Sequence, residues 1–86
     1  MHESRLVADL IARVESEVDP ATSRVIRLAL RLGALSTLSA PALREGVEHH
    51  ASRAWGYAPE VMVDRSVELD DPGATGVTLE SIQVED

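Results

Sequence analysis

The stretch Arg24–Leu32, RVIRLALRL, decides the fold of this 86-residue chain. From Ile26 onward isoleucine and leucine alternate with arginine and alanine. A period of two residues is typical of a β-strand with one buried face. The alternation therefore predicts a half-buried strand that Gly33 ends, with its isoleucine and leucines on the face that other elements cover.

An amphipathic helix is predicted before this strand, from Ser4 to Val18. Its apolar residues recur at spacings of three and four, with charged residues opposite them. Asp19-Pro20 is expected to end the helix, because the residue before a proline is pushed out of the α region. Its apolar stripe consists of Leu6, Val7, Leu10, Ile11, Val14 and Val18.

A second helix is predicted after the strand. Ser36 or Ser39 can cap it, Pro41 fits its first turn, and it is expected to end near Trp55-Gly56. This helix has a narrower apolar stripe, which we expect to contain Leu43, Val47, Ala51 and Ala54.

Two further strands are predicted in the last third of the chain. Val61–Val67 alternates again, Asp71-Pro72-Gly73 has the residues of a tight turn, and Val77–Val84 forms the last strand. The apolar phase of that strand slips between Leu79 and Ile82, which indicates a β-bulge. The short connection predicts that the last two strands form an antiparallel hairpin.

The elements follow the order α-β-α-β-β, which predicts an α/β (α+β) fold with two layers. A chain of this length supports one core, so we expect a single domain, 1-86, with both helices on one face of a three-stranded mixed sheet. If the strands on either side of the second helix are neighbours, they should be parallel and joined by a right-handed crossover.

Composition excludes several classes of function. The formal net charge is -7, and the excess lies in residues 60–86, where Arg65 stands against eight acidic groups. Nucleic-acid binding needs a basic track, so no nucleic-acid partner is expected. No apolar run is long enough for a bilayer and no secretory leader is evident, so we expect a cytoplasmic protein without membrane contact. The absence of cysteine excludes thiolate zinc sites.

Three stretches carry candidate chemistry. Met1-His2-Glu3 brings an α-amine, an imidazole, main-chain nitrogens and a carboxylate together, a nitrogen-rich set that nickel(II) and copper(II) favour; an exposed histidine with no role is the alternative. On the second helix Glu45 and His49 stand one turn apart and could pair or bind a metal, but we interpret them, with Glu48 and His50, as part of a solvated helix face. Residues 71–76 lack the lysine of a phosphate loop and are interpreted as a hairpin loop. No nucleophile can be assembled with a base, so no enzyme is expected.

Four pieces of sequence occur in register: Met1-His2-Glu3, Leu32-Gly33-x-Leu35-Ser36, Pro41-Ala42-Leu43-Arg44 and Ser81-Ile82-Gln83-Val84-Glu85. Together they resemble the HypA/HybF family, the nickel-insertion accessory proteins of [NiFe] hydrogenase and urease maturation. The resemblance covers nearly the whole chain. It implies a nickel-binding domain of two helices on a three-stranded mixed sheet, in which Met1, His2 and Glu3 hold nickel(II). It also implies a partner that is a maturation GTPase or the large subunit of a nickel enzyme.

One departure from the family is large. Its members carry a zinc-binding segment with two cysteine pairs between the last two strands, where this chain has only the loop 69–76. The sequence therefore predicts a metallochaperone-like nickel protein without a zinc site, either a monomer or a weak homodimer. The alternative is a HypA-like interaction or regulatory module with no physiological metal.

Overall fold

The computed structural model describes residues 2–67 and 76–85 of the chain. They form an α+β fold in which two helices cover one face of a three-stranded mixed sheet, as the sequence predicts. In chain order the elements are helix α1 (His2–Glu17), strand β1 (Val25–Leu32), helix α2 (Ala40–Trp55), strand β2 (Glu60–Arg65) and strand β3 (Val77–Val84).

Strand β1 lies in the middle of the sheet, in the order β2-β1-β3. It pairs with β2 in parallel, as expected for strands joined through α2, and with β3 in antiparallel orientation. The predicted hairpin between the last two strands is therefore wrong, because β2 and β3 occupy opposite edges. Leu32 and Gly33 fix this arrangement: the Leu32 carbonyl accepts the Ser66 N–H at 2.8 Å, and the Gly33 N–H donates to the Gly76 carbonyl at 2.8 Å.

A connection from one edge to the other needs little chain. Two interstrand spacings amount to about 10 Å, which a few extended residues span. Residues 67–75 suffice for this, so the number of connecting residues does not distinguish a hairpin from a crossing past the end of β1. The packing of β1 determines the strand order instead, since a central position gives its buried apolar face a neighbouring strand on each side.

The predicted bulge in β3 is confirmed. Ala29 is opposite Ser81 and Leu30 is opposite Leu79, so Glu80 is the extra residue. The bulge moves the apolar phase by one residue, and both Leu79 and Ile82 consequently face the core.

A second bulge, at the start of β1, was not predicted. Val25 is opposite Val84 and Arg27 is opposite Gln83, which leaves Ile26 unmatched. The expectation that Ile26 faces the core is therefore wrong: Ile26 is 38% exposed, whereas Val25 is 1% exposed.

The core is one apolar cluster between the helices and the sheet. Because a helix face and a sheet face enclose it from both sides, its members are almost completely shielded from water. They are Val7, Leu10, Ile11 and Val14 of α1, Leu43, Val47 and Ala51 of α2, Val25, Leu28, Leu30 and Leu32 of β1, and Val61 of β2. Ala54, expected in the stripe of α2, is exposed. Neither helix in the described ranges is long and apolar enough to cross a membrane.

The ends of α2 follow from its flanking residues. Ser39 is the cap, and its hydroxyl accepts the Ala42 N–H at 3.1 Å. Gly56 ends the helix at φ 81°, in the left-handed region that glycine adopts without strain. Within the helix, Gly46 lets α1 approach, since a Cβ there would lie 3.1 Å from Val7 Cγ2.

Tyr57 joins three segments at the end of the sheet where β1 begins. Its hydroxyl accepts the Val25 N–H at 2.9 Å and donates to the Pro20 carbonyl at 2.9 Å, and the Arg24 guanidinium stands 4.2 Å from its ring centroid. The hydroxyl thus fixes the turn between α1 and β1 against the segment that follows α2.

We expect Tyr57→Phe to lower the free energy of unfolding by about 1–3 kcal/mol, because it leaves a buried main-chain donor and a carbonyl without their partner. Thr22→Val is the control: it removes an exposed hydroxyl from the same turn and should change stability by less than about 0.5 kcal/mol. Urea unfolding followed by circular dichroism measures both. Equal effects of the two substitutions would contradict the assigned role of Tyr57.

Candidate functional site

The predicted nickel ligands stand at the start of α1. Met1 lies outside the described residues, as do the side chains of His2 and Glu3, but the helix itself begins at His2. The first N–H groups of any α-helix have no acceptor within the helix. A metal that takes a main-chain nitrogen of His2 or Glu3 therefore displaces no helical hydrogen bond.

The rest of α1 runs beside β3 in the same direction. Leu6 and Leu10 line a groove with Val77, and further along Glu17 lines it with Ile82. The start of α1 accordingly lies toward the end of the sheet where β1 stops. Ser66 and Gly76 are anchored at that same end of the sheet. They flank the loop at which members of the HypA/HybF family carry their zinc-binding segment.

At the second candidate site, on α2, no third ligating side chain joins Glu45 and His49 among the side chains that the structure describes. His49 is exposed and His50 is half-buried, and no hydrogen bond or ion pair joins Glu45 to His49 among the described residues. The two histidines line only a shallow, open depression with Arg53 and Ala54. Across residues 2–67 and 76–85, apart from the undescribed side chains of residues 2–4, no three metal-ligating side chains converge.

The loop 71–76, interpreted as a hairpin loop, lies outside the described residues except for Gly76. The Gly76 carbonyl accepts the Gly33 N–H, a contact between main-chain groups at the end of the sheet where β1 stops. The hairpin interpretation is wrong, because the strands before and after this loop lie at opposite edges of the sheet.

Arg65, the lone cation of the acidic last third, serves the fold. Its guanidinium donates to the Leu38 carbonyl at 2.9 Å and, at 3.4 and 3.5 Å, to the carbonyls of Ser36 and Gly33. It thereby fixes the loop between β1 and α2. The isolation of this arginine among acidic residues was visible in the sequence, but its acceptors are main-chain groups that no side-chain pattern reveals.

The groove between α1 and β3 was not predicted. Its section beside the end of α1 is an open depression of about 340 Å³, lined by charged side chains of α1, Arg13 and Glu17, and by β3 from Leu79 to Ile82. The two walls come from opposite ends of the sequence, and only the strand order brings them together.

No protein-family model, curated protein or solved structure matches this chain. The resemblance to the HypA/HybF family therefore depends only on the four pieces of sequence quoted above. The two helices and the three-stranded mixed sheet agree with the fold that the resemblance implies.

We expect the purified protein to contain far less than one zinc ion per chain and EDTA to leave its melting temperature unchanged. The chain has no thiolate, and structural zinc sites need four ligands in a closed tetrahedron. Elemental analysis and thermal melts with and without chelator measure this. Stoichiometric zinc whose removal unfolds the protein would show that the prediction is wrong.

Proposed function

We propose that the chain is a HypA-like nickel-binding accessory protein of the cytoplasm. In this proposal it holds nickel(II) as cargo at Met1, His2 and Glu3 and presents it to a maturation partner, a GTPase or the large subunit of a nickel enzyme of the [NiFe] hydrogenase or urease type. The observation that carries the proposal is the element order α-β-α-β-β, with a first helix that begins at His2 and Glu3 of the Met-His-Glu sequence.

The donor set supports nickel over harder cations. The Met1 amine, the His2 imidazole and main-chain nitrogens suit a tetragonal or square-planar ion, whereas magnesium and calcium prefer oxygen ligands. Glu3 adds a carboxylate or a further main-chain nitrogen. Because consecutive residues supply all of these groups, chelation needs no tertiary structure to assemble it.

The position of the ligands in the helix supports release of the ion. Among the residues of α1 whose side chains the structure describes, the first that the core buries is Val7, which is 3% exposed, and Leu6 before it is half-buried. Arg5, the residue just before them, is exposed and therefore adds no core contact that would hold the start of the helix in place. A site that transfers its ion needs this freedom, because the ligands must rearrange when the partner takes the metal.

We expect His2→Ala, or two residues added before Met1, to abolish tight nickel binding, because each removes a nitrogen donor from the chelate. His49→Ala is the matched control and should leave the affinity almost unchanged, since that side chain is exposed on α2. The measurement is calorimetric titration of untagged protein with an authentic N-terminus.

Two results would contradict the proposal. Loss of binding in His49→Ala alone would move the site to α2. No tight binding by the wild-type chain would favour the alternative, an interaction module without physiological metal.

We expect nickel affinity to fall steeply between about pH 8 and 6, with more than one proton released per ion near neutrality. Imidazole and α-amine, with reference pKa values of about 6.5 and 7.7–8.0, both bind a proton as the pH falls through this range, and the ion must displace those protons. Carboxylates are already ionised there, so a site in the acidic last third would bind with nearly constant affinity. Calorimetry in buffers of different ionisation enthalpy counts the protons, and a count near zero would rule out the N-terminal site.

A further inference from the structure

The outer edge of β3 and the groove beside it form a surface that no described element covers. β3 is an edge strand, so one row of its N–H and C=O groups points away from the sheet. Between β3 and α1 the groove exposes part of the apolar side chains of Val77, Leu79 and Ile82, which are only half-buried. Such an edge is suited to a further strand.

The exposure pattern of β3 reads the same in both directions. Its half-buried residues are Val77, Leu79, Ile82 and Val84, and its exposed residues are Thr78, Glu80, Ser81 and Gln83. The bulge at Glu80 creates this symmetry, because it places two exposed residues in the middle of the strand. Suppose that a second copy of β3 pairs antiparallel with the first about a twofold axis that passes between Glu80 and Ser81. Every half-buried residue of one copy then faces a half-buried residue of the other. Val77 is then opposite Val84 and Leu79 opposite Ile82.

The same axis places opposite charges together on α1. The section of the groove that contains Glu80 and Ser81 is lined on its other wall by Arg13 and Glu17. An antiparallel copy of the helix, related by an axis that passes between these two residues, brings Arg13 of each copy to Glu17 of the other. Within the described part of their own chain, neither side chain makes a hydrogen bond or an ion pair.

Glu80 does not oppose this arrangement. A charge in the middle of an edge strand usually prevents pairing, and a glutamate directly opposite its own copy would repel it. In the register above, however, Glu80 faces Ser81 of the second copy. It also pairs with Arg31 at 3.2 Å within its own sheet.

From these observations we propose that the partner of this surface is a second copy of the chain. The two β3 strands pair antiparallel about a twofold axis between Glu80 and Ser81, and reciprocal Arg13–Glu17 pairs join the two α1 helices. The result is a continuous six-stranded sheet with all four helices on one face. The interface is isologous, which is the commonest form of homodimer.

Charge reversal tests the helix contact on the intact chain. We expect Arg13→Glu and Glu17→Arg each to weaken association by about tenfold or more, because each places like charges in contact across the axis. The double variant Arg13→Glu/Glu17→Arg restores opposite pairs and should recover the wild-type dimer. Arg44→Glu on α2 is the control, since it changes the net charge as much as Arg13→Glu at an exposed residue far from the axis.

Sedimentation velocity from micromolar to near-millimolar protein gives the association constant, and thermal melts show that each variant remains folded. A wild-type chain that stays monomeric over this whole concentration range would overturn the proposal. The partner of the groove would then be a different protein. A dimer that none of the reversals in α1 weakens would also overturn it.

A disulfide test fixes the register of the strands. The chain has no cysteine, and the axis places Thr78 of one copy opposite Gln83 of the other. We expect a mixture of Thr78→Cys and Gln83→Cys chains to form a mixed disulfide dimer under mild oxidation much faster than either variant alone. Equal rates in the mixture and in the separate variants would exclude this register and with it the proposal.

Discussion

The fold depends on β1, whose apolar face is covered by both helices and which pairs with both other strands. Leu28, Leu30 and Leu32 are at most 2% exposed, and the helices cover the face on which they lie. On the opposite face Arg27 and Arg31 pair with acidic residues of the flanking strands, Glu60 and Glu80. This strand thus contributes its apolar face to the core and forms surface ion pairs with both flanking strands on its other face.

Much of the fold follows from local periodicity, because helices and half-buried strands impose different repeats on the apolar residues. The two helices, the three strands and the bulge near Glu80 were predicted on this basis. The strand order was not, since the periodicity of a strand does not say which other strand lies next to it. Ile26 illustrates a second limit: the apolar residues Val25 and Ile26 are adjacent, and only the pairing of β1 with β3 determines which of them faces the core.

The two functional hypotheses differ in how much structure they need. The Met1-His2-Glu3 site is a linear motif whose donors are neighbours in the chain, so sequence alone is enough to propose it and the fold adds only its place at the start of α1. The surface between α1 and β3 joins residues near both ends of the sequence. Its symmetry appears only when strand order, bulge and side-chain exposure are known together.

The anchoring of Ser66 and Gly76 on either side of β1 has a consequence for the evolution of the domain. Because Leu32, the last residue of β1, and Gly33 after it hold the two ends of this connection, its length can change without altering the sheet or the core. The cost of a longer loop grows only slowly with the number of residues. A whole additional module can therefore be gained or lost between β2 and β3 in a single step, and it would lie beside the start of α1. The connection is thus a natural site at which new binding specificity can arise while the rest of the chain keeps its sequence.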